Sequence, residues 1–327
     1  NNRNQRKTTP TATSGPVEKR IGTSTANSDT TLVSNRRGND IHQWNCEGNL
    51  IRGNEISDTR DGIYFSFTNN SRVENNRVHN VRYGLHYMYS DNNIFENNLF
   101  LQNAAGAAVM FSKDIVIRGN RFEDNRGARA YGILFQSDER VRVESNLIRN
   151  NDVGLSFQQA NDFVVKGTDV SGNYIGLRFS GHSEWKSFTE NRFTQNLNPI
   201  DVDGAGDNNR WAVNGVGNFW SGQEMFDLNG DGINDLPHQE LDLFGPLRRD
   251  FPGVALLSGS PLVKLLRFAN ERAALPGIHS ITDPAPLTPL FWTLQAPPAL
   301  RNRAPTVSAN DSRKASHQPP AGATPRH

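Results

Sequence analysis

The sequence repeats a short phrase, Gly-apolar-x-apolar, at a fixed period between Asp40 and Tyr174 and beyond. The anchors of the phrase are Asp40, Gly62, Gly84, Gly106, Gly132, Gly154 and Gly176. Successive anchors are 22 residues apart, except that the step from Gly106 to Gly132 is 26. Self-similarity at such a period is typical of a solenoid, in which each repeat buries its apolar face only against its neighbours. The long step contains four extra residues, which predict a loop insertion at 126–130.

A second column of the repeat holds asparagine, and it helps to choose among solenoids. Its members are Asn54, Asn76, Asn98, Asn120 and Asn146. A leucine-rich repeat fits the neighbouring apolar slots, but it requires helical or tight-turn leucine spacing on the return leg. The return legs here, such as Gly62-Ile-Tyr-Phe-Ser-Phe67, consist of β-forming residues. We therefore predict an all-β fold, a parallel β-helix solenoid with 22-residue rungs about 4.8 Å apart and an asparagine ladder at one turn.

Strand alternation divides each rung into inward and outward positions. Counted from the anchor glycine, positions +1 and +3 point inward and positions +2 and +4 point outward. The inward columns are apolar almost throughout, for example Ile63, Leu85 and Ile133, or Phe65, Tyr87 and Phe135. This composition is that of a core and supports the register.

The outward columns place unusual side chains together. Met88 should lie directly above Met110, about 5 Å away, with His86 about 7 Å along the strand and His42 in the same column as His86. Thioether and imidazole ligands suit Cu(I) better than zinc, magnesium or calcium. These four residues are therefore the predicted copper ligands. The alternatives are that a loop covers the methionines, or that a register slip places them inside.

Composition limits the function further. The formal net charge is +1, which gives no electrostatic reason to expect nucleic acid as a partner. The outward columns contain almost no Asp or Glu, so a catalytic carboxylate pair is not evident there. One cysteine, Cys46, excludes an internal disulfide framework. No run is apolar enough for a membrane span, and no signal peptide is present in this chain, so we expect it to be removed or to lie outside the chain.

The regions outside the rungs have their own predictions. Residues 1–35 are polar and should be disordered, residues 36–222 should form the β-helix, and residues 223–240 form an acidic, Gly-rich loop. In that loop a calcium site is predicted from oxygen ligands at alternate positions around a glycine turn. Its residues are Asp227, Asn229, Asp231, Ile233 and Asp235. The twelfth position is His238 instead of the usual Glu, so a solvated acidic turn is the alternative.

Residues 241–287 are predicted to form a capping or docking segment, followed by a disordered tail at 288–327. The segment contains one amphipathic helix, with Ser260 as N-cap and Pro261 in the first turn, and it stops at Leu275-Pro276-Gly277. Capping of the solenoid edge and docking on a partner both fit this pattern. The candidate docking residues are Phe244, Leu247, Leu262, Leu265, Leu266 and Phe268.

The motifs of the chain resemble, in the same order, those of a known family. They include Gly84-Leu-His-Tyr-Met-Tyr89, Met110-Phe-Ser112, Gly217-Asn-Phe-Trp220, Asp227-Leu-Asn-Gly-Asp-Gly232 and Leu243-Phe-Gly-Pro-Leu247. This set resembles the NosD family, the periplasmic β-helical maturation proteins of nitrous oxide reductase. The resemblance spans about 36–287. The family has further rungs where residues 1–35 stand, so we expect earlier rungs to be missing here.

The resemblance implies an accessory protein and not an enzyme. Members of the family act in the periplasm with an ABC transporter permease and ATPase, a copper chaperone and nitrous oxide reductase, whose copper-sulfide centre they help to supply. The segment from Phe244 to Pro276 would then dock on the transporter. Two other classes stay open from the residues: a polysaccharide-binding or polysaccharide-cleaving β-helix, and a passive scaffold that binds neither copper nor sugar.

Overall fold

The computed structural model describes residues 38–127, 130–203, 208–244 and 279–291, together with isolated positions between 251 and 269. The predicted disorder of residues 1–35 lies outside the described residues, as does that of the tail at 288–327 except for 288–291. Those four residues are ordered, contrary to the prediction, with Thr288 and Phe291 buried. Almost all of the regular secondary structure of the described chain is β-strand. The strands are, in chain order, β1 (Ile41–Trp44), β2 (Leu50–Arg52), β3 (Glu55–Ser57), β4 (Asp61–Ser66), β5 (Arg72–Glu74), β6 (Arg77–His79), β7 (Tyr83–Met88), β8 (Ile94–Glu96), β9 (Leu99–Leu101), β10 (Ala105–Met110), β11 (Lys113–Arg118), β12 (Arg121–Glu123), β13 (Tyr131–Gln136), β14 (Glu139–Glu144), β15 (Leu147–Arg149), β16 (Val153–Gln158), β17 (Asn161–Lys166), β18 (Asp169–Ser171), β19 (Ile175–Ser180), β20 (Lys186–Thr189), β21 (Arg192–Thr194), β22 (Asn198–Asp203), β23 (Phe219–Trp220), β24 (His238–Asp242) and β25 (His279–Asp283).

Three parallel sheets run along the axis of the solenoid and confirm the predicted parallel β-helix. The first sheet has the order β1-β4-β7-β10-β13-β16-β19-β22. The second sheet is β2-β5-β8-β11-β14-β17-β20, and the third is β3-β6-β9-β12-β15-β18-β21-β23. Each of the first seven rungs therefore contributes one strand to each sheet, and the last contributes β22 to the first sheet and β23 to the third. The predicted insertion falls between β12 and β13, and pairing resumes after it with Met110 opposite Gln136.

The core is the column of inward side chains that the repeat predicts. Phe65 and Tyr87 are fully buried and stack with ring centroids 5.7 Å apart. The anchor glycines stand at the bend between the third and first sheets, where no Cβ fits. A Cβ on Gly84 would lie 2.6 Å from the carbonyl oxygen of Gly106 and 2.7 Å from Phe100 Cδ1. Close packing between rungs, and not a left-handed backbone, is the reason for glycine here.

The predicted asparagine ladder is present and buried. The Oδ1 of Asn98 accepts hydrogen bonds from the backbone nitrogen and the Nδ2 of Asn76, at 3.0 and 2.9 Å. Its Nδ2 donates to the carbonyl of Val73 at 2.8 Å and to the Oδ1 of Asn120 at 2.9 Å. Each amide thus satisfies polar groups of the rungs on both sides, which a buried turn requires.

The ladder ends on a carboxylate from the C-terminal segment. Strands β24 and β25 pair antiparallel, and Asp283 at the end of β25 is fully buried. Its Oδ2 accepts from the backbone nitrogen of Asn218 at 2.8 Å and from Trp220 Nε1 at 3.0 Å. Burial raises the pKa of this carboxyl, against the hydrogen bonds that lower it. The segment therefore closes the exposed edge of the last rung.

The predicted helix after Ser260 is described at five positions only. Pro261, Val263, Leu265, Leu266 and Ala269 are all helical. Ser260 precedes them, but its buried Oγ has no hydrogen-bond partner among the described residues, so it does not act as the predicted N-cap. The end of the helix at 275–277 lies outside the described residues.

One lysine lies inside the solenoid. Lys186 is 1% exposed, and its Nζ donates to the backbone carbonyls of Ala160 and Glu184. The Nζ also lies 5.4 Å from the centroid of the Phe157 ring. Burial lowers the pKa of Lys186 to about 7.

Replacing Asn98 with Ala should lower the free energy of unfolding by about 2–4 kcal/mol, because buried donors and acceptors on two rungs lose their partners. The neighbouring Asn97 is exposed and has a φ of 56°. Asn97→Gly should therefore change stability by less than about 0.5 kcal/mol. Urea unfolding of both variants measures the difference, and equal effects would contradict a stabilising role for the ladder.

The stability difference between the unsubstituted protein and Lys186→Met should depend on pH. The folded state releases the Lys186 proton near pH 7, whereas the unfolded chain keeps it to about 10.5. The unfolded state binds more protons between these values, so stability rises with pH there, by at most about 1.4 kcal/mol per pH unit for one proton. Denaturant unfolding from pH 6.5 to 10 should show this slope in the unsubstituted protein relative to the variant. A flat difference would contradict it.

Candidate functional site

The outer face of the first sheet holds the methionines and His86 that the sequence predicts to lie together. Met88 in β7 pairs directly with Met110 in β10, and His86 pairs with Ala108. All three of these side chains are half-buried, so they point away from the core without being fully exposed. We call His86, Met88 and Met110 the soft patch. The possibility of a register slip that turns them inward is thereby removed.

His42 does not join the soft patch. It pairs with Tyr64, which in turn pairs with His86, so one whole rung separates the two histidines. The Tyr64 ring fills this gap, with ring centroids 4.7 Å from His42 and 4.9 Å from His86. Two rungs span about 9.6 Å. One ion could not be bound by both imidazoles in this arrangement.

A buried carboxylate lies behind His86. Asp61 is fully buried at the start of β4, and its Oδ2 lies 3.1 Å from His86 Nδ1. The guanidinium of Arg82 donates to both oxygens of Asp61, at 2.8 and 2.7 Å. Burial would raise the pKa of Asp61, but the hydrogen bonds from His86 and Arg82 outweigh it and bring the pKa down to about 2. Asp61 is therefore ionised and can only accept hydrogen bonds.

Two tyrosine rings pack against the His86 ring. Tyr64 contacts it edge-on, with centroids 4.9 Å apart and planes at 90°. Tyr83 lies at the same 4.9 Å, with planes inclined at 38°. The imidazole is 16% exposed. Contacts from these two rings and from Asp61 leave the ring little rotational freedom.

Three exposed aromatic side chains form a stack beside the soft patch. Phe67 and Tyr89 lie with centroids 5.3 Å apart and planes at 9°, and Tyr89 and Phe111 lie 5.0 Å apart at 12°. They are 52%, 47% and 40% exposed. Tyr89 and Phe111 each follow a methionine of the soft patch in sequence. We call these three residues the aromatic ladder.

The aromatic ladder occupies an unfavourable backbone position. The φ values of Phe67, Tyr89 and Phe111 are 51°, 49° and 54°, in the left-handed region that bulky residues seldom adopt. Other rungs use Ser137 or Gly181 at this turn, also with positive φ. The turn therefore requires a left-handed residue but not an aromatic one. The strained backbone costs roughly 1 kcal/mol or more for each of these residues, and strained, exposed residues cluster at functional sites.

The outer faces of the other two sheets differ in character, because ion pairs cover them. Those of the second sheet include Arg72–Glu96, Arg118–Glu96 and Arg142–Glu144. Those of the third sheet include Arg77–Glu55, Arg121–Glu123 and Arg149–Glu123. The first sheet instead presents aromatic, methionine and histidine side chains over β1, β4, β7 and β10. This face has the composition expected of a contact surface.

The acidic loop folds around its own backbone. Asp227 accepts hydrogen bonds from the backbone nitrogens of Gly230 and Gly232, at 2.8 and 3.0 Å, and Asp231 accepts from Ile233 at 2.8 Å. Asn229 accepts from the nitrogen of Asp231, and Asp235 accepts from that of Leu228. Calcium binding here stays a prediction. Within the described part of the chain, no group of three His, Cys, Asp or Glu side chains is arranged to hold a metal ion.

The candidate docking residues differ in their exposure, and some of them lie outside the described residues. Phe244 is 7% exposed, so it offers little surface to a partner. Leu265 is 62% exposed and Leu266 half-buried, whereas Val263 supplies the buried position of this turn. Leu247, Leu262 and Phe268 lie outside the described residues. Phe251, 66% exposed, is an apolar side chain that the sequence reasoning did not select.

Sequence reasoning also missed Asp61 and the aromatic ladder. A signal for the ladder was available, because Phe67, Tyr89 and Phe111 are spaced by 22 residues like every other column. No such sequence signal pointed to Asp61, because strand alternation does not continue through the bend at Gly62.

The fold and this face define a parallel β-helix with one aromatic, methionine-containing outer face. A family model described as periplasmic copper-binding protein (NosD) matches residues 23–224, more than half of the chain. The chain therefore belongs to the NosD family. No helix among the described residues has the length and apolar character needed to cross a membrane.

Two curated relatives carry the name "Probable ABC transporter binding protein NosD". The relative from Pseudomonas aeruginosa is 35% identical over 279 residues, which is 79% of this chain and 63% of the relative. The relative from Stutzerimonas stutzeri is 29% identical over 129 residues, which is 39% of this chain and 29% of the relative. The chain thus spans less than two thirds of either relative.

Solved structures with partial likeness are modules of Azotobacter vinelandii mannuronan C-5 epimerases. The AlgE6 A-module is 15% identical with a TM-score of 0.42, covering 51% of this chain and 57% of that one. The AlgE4 A-module is 13% identical with a TM-score of 0.32, covering 50% and 64%.

Proposed function

We propose that this protein is a periplasmic accessory protein that handles Cu(I) as cargo during maturation of the copper-sulfide centre of nitrous oxide reductase. The observation that carries the proposal is the direct pairing of Met88 with Met110 beside His86, in a chain of the copper-binding NosD family. An ABC transporter permease and ATPase, a copper chaperone and nitrous oxide reductase are its proposed partners. The names of the two curated relatives support the transporter association.

The chemistry of the soft patch suits transfer better than storage. Two thioethers and an imidazole are neutral ligands, and soft Cu(I) prefers sulfur and imidazole over oxygen. Three ligands from one flat face leave the side toward solvent open. A donor or acceptor protein can therefore approach the metal and exchange ligands with the soft patch without unfolding it.

The aromatic ladder gives that approaching protein an apolar surface. Tyr89 and Phe111 are chain neighbours of Met88 and Met110, so any protein that reaches the metal must also cover these rings. Burying exposed aromatic area is the commonest source of binding energy at interfaces. The ladder is a poorer platform for sugar, because each ring already covers the face of the next. Only the outer faces of Phe67 and Phe111 could stack on a sugar ring.

The C-terminal segment is the proposed contact with the transporter. Its exposed apolar side chains are Phe251, Leu257 and Leu265, which are 66%, 43% and 62% exposed. In the chain they follow the closing strand β23, whereas the soft patch lies on β7 and β10, the third and fourth of the eight strands of the first sheet. The transporter and the copper partner would then bind two different regions of the molecule.

Replacing both Met88 and Met110 with Ala should weaken Cu(I) binding at least tenfold, because the two soft ligands are lost. The measurement is an anaerobic titration against a competing Cu(I) chelator. Met225→Ala is the matched control, since Met225 is the third methionine and is 55% exposed in the acidic region. If the unsubstituted protein does not compete with the chelator, or if the control loses as much affinity as the double variant, the soft patch is not the copper site.

The double variant Tyr89→Ser, Phe111→Ser should bind the copper chaperone or apo-nitrous oxide reductase at least tenfold more weakly, with stability little changed. Serine is the residue that the fifth rung uses at this turn, at Ser137. Trp185→Ser is the control, because Trp185 is also exposed, at 64%, with a φ of 58° elsewhere on the solenoid. Biolayer interferometry with each purified partner measures the effect. Unchanged binding to both partners would remove the ladder from the interface.

A further inference from the structure

We infer that Asp61 is a positioning residue for the soft patch, holding His86 in the tautomer that directs the lone pair of Nε2 away from the carboxylate and makes it available to a soft metal ion. The inference rests on the proposed function and adds to it a residue outside the predicted ligand set. It concerns which imidazole nitrogen carries the proton.

The hydrogen-bond geometry decides the tautomer. Oδ2 of Asp61 lies 3.1 Å from His86 Nδ1, while both carboxylate oxygens also accept from Arg82. A carboxylate paired with a bidentate guanidinium stays ionised and has no proton to donate. Nδ1 must therefore be the donor. A neutral imidazole has only one N–H group, so Nε2 is left with its lone pair.

The rest of the ring's surroundings fix its orientation as well as its proton. Tyr64 and Tyr83 pack on the imidazole at 4.9 Å each, and Asp61 is the hydrogen-bond acceptor that the structure gives to Nδ1. Carboxylates placed in this way behind a histidine raise its basicity as a metal ligand and hold the ring in place.

The solenoid itself does not require a carboxylate at this position. Tyr83 pairs with Asp61 on the next rung, and Ala105 pairs with Tyr83 on the rung after that. Aromatic and small apolar residues therefore fit the same column. A fully buried carboxylate costs desolvation energy that apolar side chains avoid. The local benefit that Asp61 provides is its contact with Arg82 and His86, while Arg60 Nε also lies 3.7 Å from its Oδ2.

The first test needs no metal. Long-range 1H–15N correlation spectra of 15N-labelled protein, at a pH where His86 is neutral, distinguish the Nδ1–H from the Nε2–H tautomer. His86→Gln assigns the signals. We expect Nδ1–H in the unsubstituted protein. An Nε2–H tautomer would overturn the inference by itself, without any Asp61 variant and whatever the protein does with copper.

The second test compares two isosteric or near-isosteric changes. Asp61→Asn should leave a mixture of His86 tautomers and weaken Cu(I) binding about 10- to 100-fold, the range typical for loss of a partner behind a metal ligand. Asp201→Asn is the matched control and should keep the Nδ1–H tautomer and bind Cu(I) within about threefold of the unsubstituted protein, because Asp201 pairs with Arg178 on β22 and β19 of the same sheet, away from His86. Equal losses in the two variants would indicate a general effect of removing a carboxylate from this sheet.

The outcomes separate this inference from the copper site itself. Full Cu(I) affinity in folded Asp61→Asn, or equal losses in the two variants, would show that Asp61 does not position His86. If the unsubstituted protein shows Nδ1–H but binds no Cu(I), the proposed copper site fails and the role of Asp61 toward metal fails with it. Thermal unfolding followed by circular dichroism verifies that each variant is folded.

Discussion

The rung-to-rung hydrogen bond is the interaction on which this structure depends. Each strand binds only the equivalent strands above and below, and the buried asparagine amides repeat the same connection at the turn. Since an amide such as Asn98 must satisfy groups on both neighbouring rungs, a slip by one residue would leave several buried polar groups unpaired. The ladder thus fixes the register, and the register places Met110 directly beside Met88. The position of the soft patch on the surface is therefore a consequence of hydrogen bonding at the buried turns.

The three outer faces show how one repeat can support different surfaces. Ion pairs link neighbouring rungs on the second and third sheets, where they make the outer faces polar. The first sheet has aromatic and thioether side chains in the equivalent columns, and three of its turns hold aromatic residues in left-handed conformations. The stacking of these rings with one another offsets part of that cost, at about 0.5–1.5 kcal/mol for each pair. The area of these rings that stays exposed is available for a partner to bind.

The sequence predicted the solenoid, its period, the inward columns and the pairing of Met88 with Met110, because all of these follow from strand alternation within a fixed repeat. It did not predict that His42 stands apart, since the column alone does not show that Tyr64 fills the space between the histidines. Asp61 was missed because the chain bends at Gly62, and the residue before a bend no longer follows the alternation. The closing role of Asp283 was equally hidden, because 65 residues separate it from Asn218.

The insertion between β12 and β13 shows a further property of this architecture. Pairing of Met110 with Gln136 continues the column although four extra residues intervene. Insertions at this corner therefore leave the strand pairing unchanged. The insertion of one residue inside a strand would instead turn the side chains that follow it in that strand to the opposite face. In evolutionary terms the corners are free to vary or to gain new loops, and whole rungs can be copied. Selection can then act on one outer column at a time, while the core and the neighbouring faces stay as they are.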